Sequence, residues 1–206
     1  DTLLGSDGMF PEINVRALKA CEARGISCDV LPVEVGEGNV QAQARRARYL
    51  ALEAWALRRS LPAIATAHHA DDQAETLLMR LNRGSGLSGL AGVRERGQTP
   101  HRKAAVIRPL LSFRRAELQG VVATAGLEVA RDPSNENERF DRVRMRKALA
   151  DADWLDIDAL AASASHLSDA EEALEHYFQH LLENCASAGC DLARFTPPPS
   201  REMRLR

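Results

Sequence analysis

The sequence predicts an α/β fold, a parallel twisted sheet with helices on both faces, followed by a smaller, mostly helical region. Three observations lead there. Short apolar runs and longer amphipathic stretches alternate from residue 12 to residue 81 with brief connections, the pattern of strands joined through covering helices. Hydrophobic residues make up 45% of the 206, enough for one core plus an appendage. Beyond residue 150 the strand-like runs give way to one long helical stretch.

In order along the chain, helices are expected at about Glu12–Arg24 and Asn39–Arg59, with strands at Cys28–Val35 and Leu61–Ala67. The second strand is short, apolar and led by Pro62, and it ends near His68, where a helix continues to about Leu81. Gly84 to Gly92 is a glycine-rich loop. Its Gly84-Ser85-Gly86-Leu87-Ser88-Gly89 satisfies G-x-G-x-x-G, but it follows a helix instead of a strand, so the dinucleotide-binding context is missing. A plain helix exit is the alternative reading of that loop. Ala104–Leu111 reads as extended, Ser112–Ala125 as a helix capped by Ser112, and Leu127–Arg131 as a short strand. Asp132-Pro133-Ser134-Asn135 turns the chain into a basic helix from about Arg139 to Leu149. The last element, about Trp154 to Asn184, spaces Leu160, Leu167, Leu174 and Leu181 by seven, with Glu171 interrupting the seam. Packing on its own or a following domain is therefore expected over a coiled coil. His176 and His180 stand four apart but lack further ligands, which favours a surface pair.

The densest chemistry lies in Ala65-Thr66-Ala67-His68-His69-Ala70-Asp71-Asp72-Gln73-Ala74-Glu75-Thr76, two imidazoles and three carboxylates within eight positions. The end of a strand and the start of a helix is where open α/β sheets bind ligands, and the helix start offers free N–H groups suited to phosphate. At about 100° per residue, Ala74, Leu77, Leu78 and Leu81 share one face, and His68, Asp72 and Glu75 form a separate stripe. An acidic, solvated helix start is the plain alternative. Zinc is disfavoured because adjacent histidines cannot both face one ion on a helix and H-E-x-x-H is absent; magnesium on Asp72 or Glu75 with substrate phosphates suits hard oxygen ligands better.

A net charge of −2 announces no polyanion partner, but its distribution is uneven. Arg131 to Lys147 holds six basic residues against four acidic, whereas Asp151 to Asn184 holds nine acidic and no Lys or Arg. The first segment would attract a phosphate backbone and the second repel it. Cys21, Cys28, Cys185 and Cys190 form no C-x-x-C pair, which argues against a zinc ribbon or iron–sulfur cluster and for a reduced chain. With no signal peptide or membrane-spanning run visible, a soluble cytoplasmic protein with no membrane partner is expected.

The run His68-His69-Ala70-Asp71-Asp72-Gln73-Ala74-Glu75-Thr76, with Leu78-Met79-Arg80-Leu81, Arg83-Gly84-Ser85-Gly86-Leu87 and Gly89-Leu90-Ala91-Gly92, resembles the tRNA(Ile)-lysidine synthases of the PP-loop ATP pyrophosphatase superfamily. Asn39-Val40-Gln41-Ala42, Ala44-Arg45 and Arg48-Tyr49 extend the likeness before it, and Arg108-Pro109-Leu110-Leu111 and Asp132-Pro133-Ser134-Asn135 after it, so that it covers about Gly38 to Lys147. Two departures stand out. The family's S-G-G-x-D-S loop is not in the sequence; Asp1-Thr2-Leu3-Leu4 is compatible with its tail, with Thr2 for serine, and the strand and glycines then either precede Asp1 or are absent. Where the family shows R-N-x-I-R, the chain has Arg142-Val143-Arg144-Met145-Arg146, and Val143 removes an amide.

The resemblance implies a nucleotide-binding domain over residues 1–100, a basic extension over 101–150 that completes it and faces tRNA, and a long acidic helix with a linker or further domain over 151–206. It implies an ATP-dependent ligase with ATP and magnesium as cofactors. By that resemblance the chain would adenylate the C2 oxygen of the wobble cytidine in the CAU anticodon of isoleucine tRNA, releasing pyrophosphate, and free L-lysine would then attack C2 and expel AMP, leaving lysidine. Asp72, Glu75 and His68 are the implied catalytic residues, with Asp72 the magnesium ligand. Asp1, Thr2, Ala65, His68 and Arg48 are the implied ATP contacts, and Arg45, Arg83, Arg114, Arg142, Arg144 and Arg146 the tRNA contacts. A homodimer is compatible with this reading. Another PP-loop enzyme, a tRNA thiolase or small-molecule amide ligase, and a tRNA-binding remnant without catalysis are the alternatives.

Overall fold

The computed structural model describes residues 11–36, 40–127, 129 and 136–187, and these fall into two compact units interleaved along the chain. The first unit takes the described residues up to His68 and Glu95–Glu138; the second takes His69–Arg94 and the described residues from Arg139 onward.

In the first unit, α1 (Pro11–Glu22) opens on a proline, whose fixed φ and missing N–H suit a first helical position. The helix α2 (Val40–Arg58) lies against β1 (Ala63–Ala65). β1 runs parallel to β3 (Ala105–Ile107), in register Ala63 to Ala105, and β2 (Arg96–Gln98) closes the other edge of β3 antiparallel. The parallel pair fits the expected α/β sheet; the antiparallel β2 was not foreseen, because Arg96-Gly97-Gln98 has no apolar alternation. Ala56, Ile64 and Ala104 form the core beneath Leu52 and Trp55, and Val106 is 1% exposed. Burying Ile64 and Val106 contributes about 1.5–3 kcal/mol each.

Among the described residues the expected strand at Cys28–Val35 has no ladder. Pro32 removes a donor from its middle, and the segment is instead tied to α2 through Asp29, which accepts from Trp55 Nε1 and Arg59 Nη2, each at 2.6 Å. Ser112 does not cap the next helix: Leu110 to Phe113 form turns, and α5 (Arg115–Thr124) begins after Arg114, whose N–H donates to Glu117 at 2.7 Å. Of the expected strand Leu127–Arg131, Leu127 and Val129 are described and unpaired in any ladder; the rest, and the turn Asp132–Asn135, lie outside the described residues.

The second unit is helical. α3 (Ala70–Leu81) carries the acidic motif and packs against α4 (Leu87–Leu90), α6 (Asp141–Asp151) and the 31-residue α7 (Ile157–Ser187), about 46 Å long at 1.5 Å per residue. Ala74, Ala91 and Ala164 are fully buried, and their small side chains let these helices approach closely. Asp156 starts α7 by accepting the N–H groups of Asp158 and Ala159. The heptad face of α7 is turned inward, and Glu171 in that face is answered by Arg94.

Helices α1, α2, α3 and α5 end alike, with paired 6→1 and 5→2 backbone bonds, such as Ser85 N–H to Arg80 and Gly84 N–H to Leu81. This ending needs one residue at positive φ. Glycine takes that place after α3, at Gly84 (φ 65°), whereas Ser60 (φ 53°) takes it after α2 at a steric cost.

Candidate active site at the start of α3

Because α3 begins at Ala70, the cap is His69. Its N–H donates to Asp72 Oδ2 at 3.0 Å, and Asp72 N–H donates back to His69 Nδ1 at 3.4 Å, a reciprocal capping box. His68 therefore lies outside the helix and not in register with Asp72 and Glu75, as helical spacing had implied. It belongs to the first unit, where its Nδ1 sits 2.9 Å from the buried Thr66 hydroxyl.

Asp72 and Glu75, one turn apart, face the basic helix α6. Arg142 Nη2 donates to Asp72 Oδ1 and Arg142 Nε to Glu75 Oε2, both at 2.7 Å. Arg146 Nε donates to Glu75 Oε1 at 2.7 Å. Glu75 is 2% exposed and Asp72 14%, while Arg142 and Arg146 keep 38% and 34% of their side chains open to solvent. Hydrogen bonding to Glu75 holds the Arg146 guanidinium more firmly charged than usual, against the opposing effect of burial. Two acids and two cations thus share one network. A deeply buried carboxylate is tolerated because both of its oxygens are bonded to cations.

A magnesium ion held by protein groups alone does not fit this arrangement. Both oxygens of Asp72 and both of Glu75 already accept N–H groups, and among the described residues no three His, Cys, Asp or Glu side chains gather as a metal site.

Behind the network, Gln73 does work that no catalytic pattern had signalled. Its amide both donates to Val93 O and accepts from Val93 N–H, each at 2.7 Å, clamping the end of the glycine-rich segment to the motif helix. Gly92 (φ 64°) passes so close that an added Cβ would stand 2.5 Å from Gln73 Oε1. The segment Gly84 to Gly92 is thus a helix exit, one helical turn and this clamp. The sequence signal was available: a glutamine inside an acidic motif and a glycine nineteen residues on.

The other expected contacts are dispersed. Arg83 and Arg144 both reach Asp141 in the second unit, at 2.9 and 2.5 Å, beside a cavity of about 280 Å³ lined by Met79, Asn82 and Met145. In the first unit Arg45 lies over the Tyr49 ring, 5.1 Å from its centroid, and burial lowers the pKa of Arg48. Arg114 precedes α5, and Ala65 ends β1. Asp1 and Thr2 lie outside the described residues.

The family model for the PP-loop domain matches residues 12–152. The chain belongs to the PP-loop domain family. Among relatives of this PP-loop chain, the tRNA(Ile)-lysidine synthase of Novosphingobium aromaticivorans is 50% identical over 163 residues, covering 78% of the chain and 50% of the relative. Those of Ruegeria pomeroyi and Zymomonas mobilis are 46% and 40% identical over 170 and 180 residues, covering 78% and 82% of the chain and 39% and 53% of the relatives. The chain spans about half the length of the curated relatives it matches, or less. A U34-tRNA thiolase, NcsA from Methanococcus maripaludis with its [4Fe-4S] cluster, superposes with a TM-score of 0.63 at 18% identity, covering 84% of this chain and 59% of that one, a likeness of fold. Among the described residues no helix is long and apolar enough to cross a membrane.

Proposed function

We propose that this PP-loop chain carries the reacting site of a tRNA(Ile)-lysidine synthase, joining free L-lysine to C2 of the wobble cytidine in the CAU anticodon of isoleucine tRNA at the expense of ATP. The observation that carries the proposal is the network in which Arg142 of α6 bridges Asp72 and Glu75 of α3 and Arg146 binds Glu75. Relatives that are 40–50% identical and bear that name support the choice of reaction.

The reaction needs two things from such a site. When the C2 oxygen of cytidine attacks the α-phosphorus of ATP, the α–β bridging bond breaks and negative charge gathers on pyrophosphate and on the new adenylate. The half-exposed guanidiniums of Arg142 and Arg146, fixed from behind by Glu75, can donate to those oxygens without reorganising. Magnesium enters as the counter-ion of substrate ATP.

In the second step the lysine ε-ammonium must give up a proton, its nitrogen bonds to C2, and the C2–O bond to AMP breaks. Asp72, the less buried acid, is placed to bind that ammonium and lead the proton away; Glu75, already paired with both arginines, positions them. A zwitterionic amino acid suits a site that offers carboxylate and guanidinium side by side.

The test is pyrophosphate release and lysine incorporation by the full gene product with ATP, lysine and isoleucine tRNA bearing CAU, against methionine tRNA with the same triplet. Product only with the isoleucine tRNA is expected. AMP release that follows a sulfur donor or another amine in place of lysine overturns the reading in favour of a different PP-loop reaction.

A further inference from the structure

Glu53, in the middle of α2, is 2% exposed and is satisfied by a single short loop between β2 and β3. Its carboxylate accepts the Thr99 hydroxyl, the N–H of Lys103 at 3.0 Å and the N–H of His101 at 3.4 Å, and lies 2.9 Å from His101 Nδ1. Thr99 closes the loop on itself: its N–H donates to Ala104 O at 3.1 Å, its hydroxyl oxygen accepts the N–H of Ala104 at 3.2 Å, and its carbonyl accepts the N–H of Arg102 at 2.9 Å. Arg102 is held at φ 57°, a conformation a side chain adopts only at a cost and only when its surroundings impose it.

This anchoring sends charge outward. His101, Arg102 and Lys103 are consecutive and exposed, Arg96 on β2 is exposed as well, and the eight residues Arg96–Lys103 contain no carboxylate. Arg46, seven residues before Glu53 and thus on the same side of α2 about 10 Å along it, is also exposed. The chain as a whole carries −2, so this concentration is local. A nest for one small anion needs converging backbone N–H groups, but those of His101 and Lys103 are turned inward to Glu53. Long, separated cationic side chains suit the repeating phosphates of a nucleic-acid backbone instead.

We propose that the Thr99–Lys103 loop is a phosphate-backbone contact for the substrate RNA, with Glu53 as the positioning residue that fixes its shape. The inference rests on the proposed function only for the identity of that RNA as tRNA.

The test is direct binding of a CAU-anticodon tRNA transcript to the full gene product, followed from about 50 to 200 mM salt. Arg102→Gln with Lys103→Gln is expected to weaken binding about tenfold at low salt and to lower the salt slope by about two. The control, Arg16→Gln with Lys19→Gln on the exposed face of α1, makes the same change in net charge and is expected to stay within about twofold. Glu53→Gln removes a negative charge and on charge alone would tighten binding; it is expected to weaken binding at unchanged secondary structure. If Glu53→Gln does not fold, the loop pair decides. A loop pair within twofold of wild type, or a control that loses as much, overturns the inference. Lysidine formed by a loop variant that binds tRNA normally sinks the inference alone, whereas loop-dependent tRNA binding without lysidine in the wild type sinks the proposed function alone.

Discussion

Glu75 and Glu53 are equally buried, each 2% exposed, yet they are satisfied in opposite ways. Glu75 is held by two guanidiniums that keep a third of their surface open; Glu53 is held by a hydroxyl, two backbone N–H groups and one imidazole. The first arrangement leaves fixed positive charge open to solvent. The second spends its acceptor capacity on fixing main chain. Equal burial of two charged groups thus conceals different partners, and it is the partners that separate a candidate ligand site from an anchor of the main chain.

The contrast is broken most readily by isosteric amides. Glu75→Gln removes the charge that aligns Arg142 and Arg146, and lysine incorporation at saturating substrates is expected to fall about a hundredfold or more. Glu53→Gln is expected to leave that maximal rate within about threefold, since its loop is proposed to act on tRNA affinity. Equal losses in single-turnover assays would erase the distinction.

The packing behind the network of Asp72, Glu75, Arg142 and Arg146 is sharpened by Gly92→Ala. A Cβ there is strained at φ 64° and would stand 2.5 Å from Gln73 Oε1, so a stability loss of about 1–3 kcal/mol in denaturant unfolding is expected. A neutral result would show that the Gln73 clamp yields freely.

Acid titration separates the two glutamates further. Burial pushes the Glu53 carboxyl up, but the Thr99 hydroxyl, the N–H groups of Lys103 and His101 and the His101 ring outweigh it, leaving it below its ordinary 4.5. The unfolded chain then binds that proton more readily, so Glu53 contributes fully above about pH 4.5 and loses its contribution as pH falls through the lower folded value. Wild type is expected to lose stability more steeply than Glu53→Gln below pH 4.5 in thermal melts, and parallel slopes would contradict this.

The smallest effect has the opposite sign. Ser60 occupies the positive-φ position that ends α2, so Ser60→Gly is expected to raise stability by about 0.5–1 kcal/mol without touching activity. A lower melting temperature would mean that the serine side chain has a role its backbone angle does not reveal.

Much of this was legible in the sequence. The apolar run before His68 and the 3.6-residue spacing after it placed β1 and α3, and ordered motifs named the family. The basic helix α6 was visible as alternating arginines, but its pairing with Asp72 and Glu75 was not, because a contact between residues 67 to 71 positions apart leaves no local pattern. The helical stripe misplaced His68 by assuming that the helix began two residues early. Cys28–Val35 misled in the other direction, since apolar alternation marks an extended segment but cannot supply the neighbour a ladder needs. Glu53 was invisible as an anchor, because a lone acid in a helix looks like solvated surface until its loop is folded over it.

The central claim is that Asp72, gripped by Arg142, meets the reacting amine. The measurement that tests it most directly compares wild type with Asp72→Asn for single-turnover lysine incorporation into isoleucine tRNA bearing CAU, alongside the dissociation constant for the same tRNA. Incorporation abolished with tRNA affinity changed by less than about threefold is the result expected of a group that acts in the chemical step. Unchanged incorporation by Asp72→Asn would contradict it.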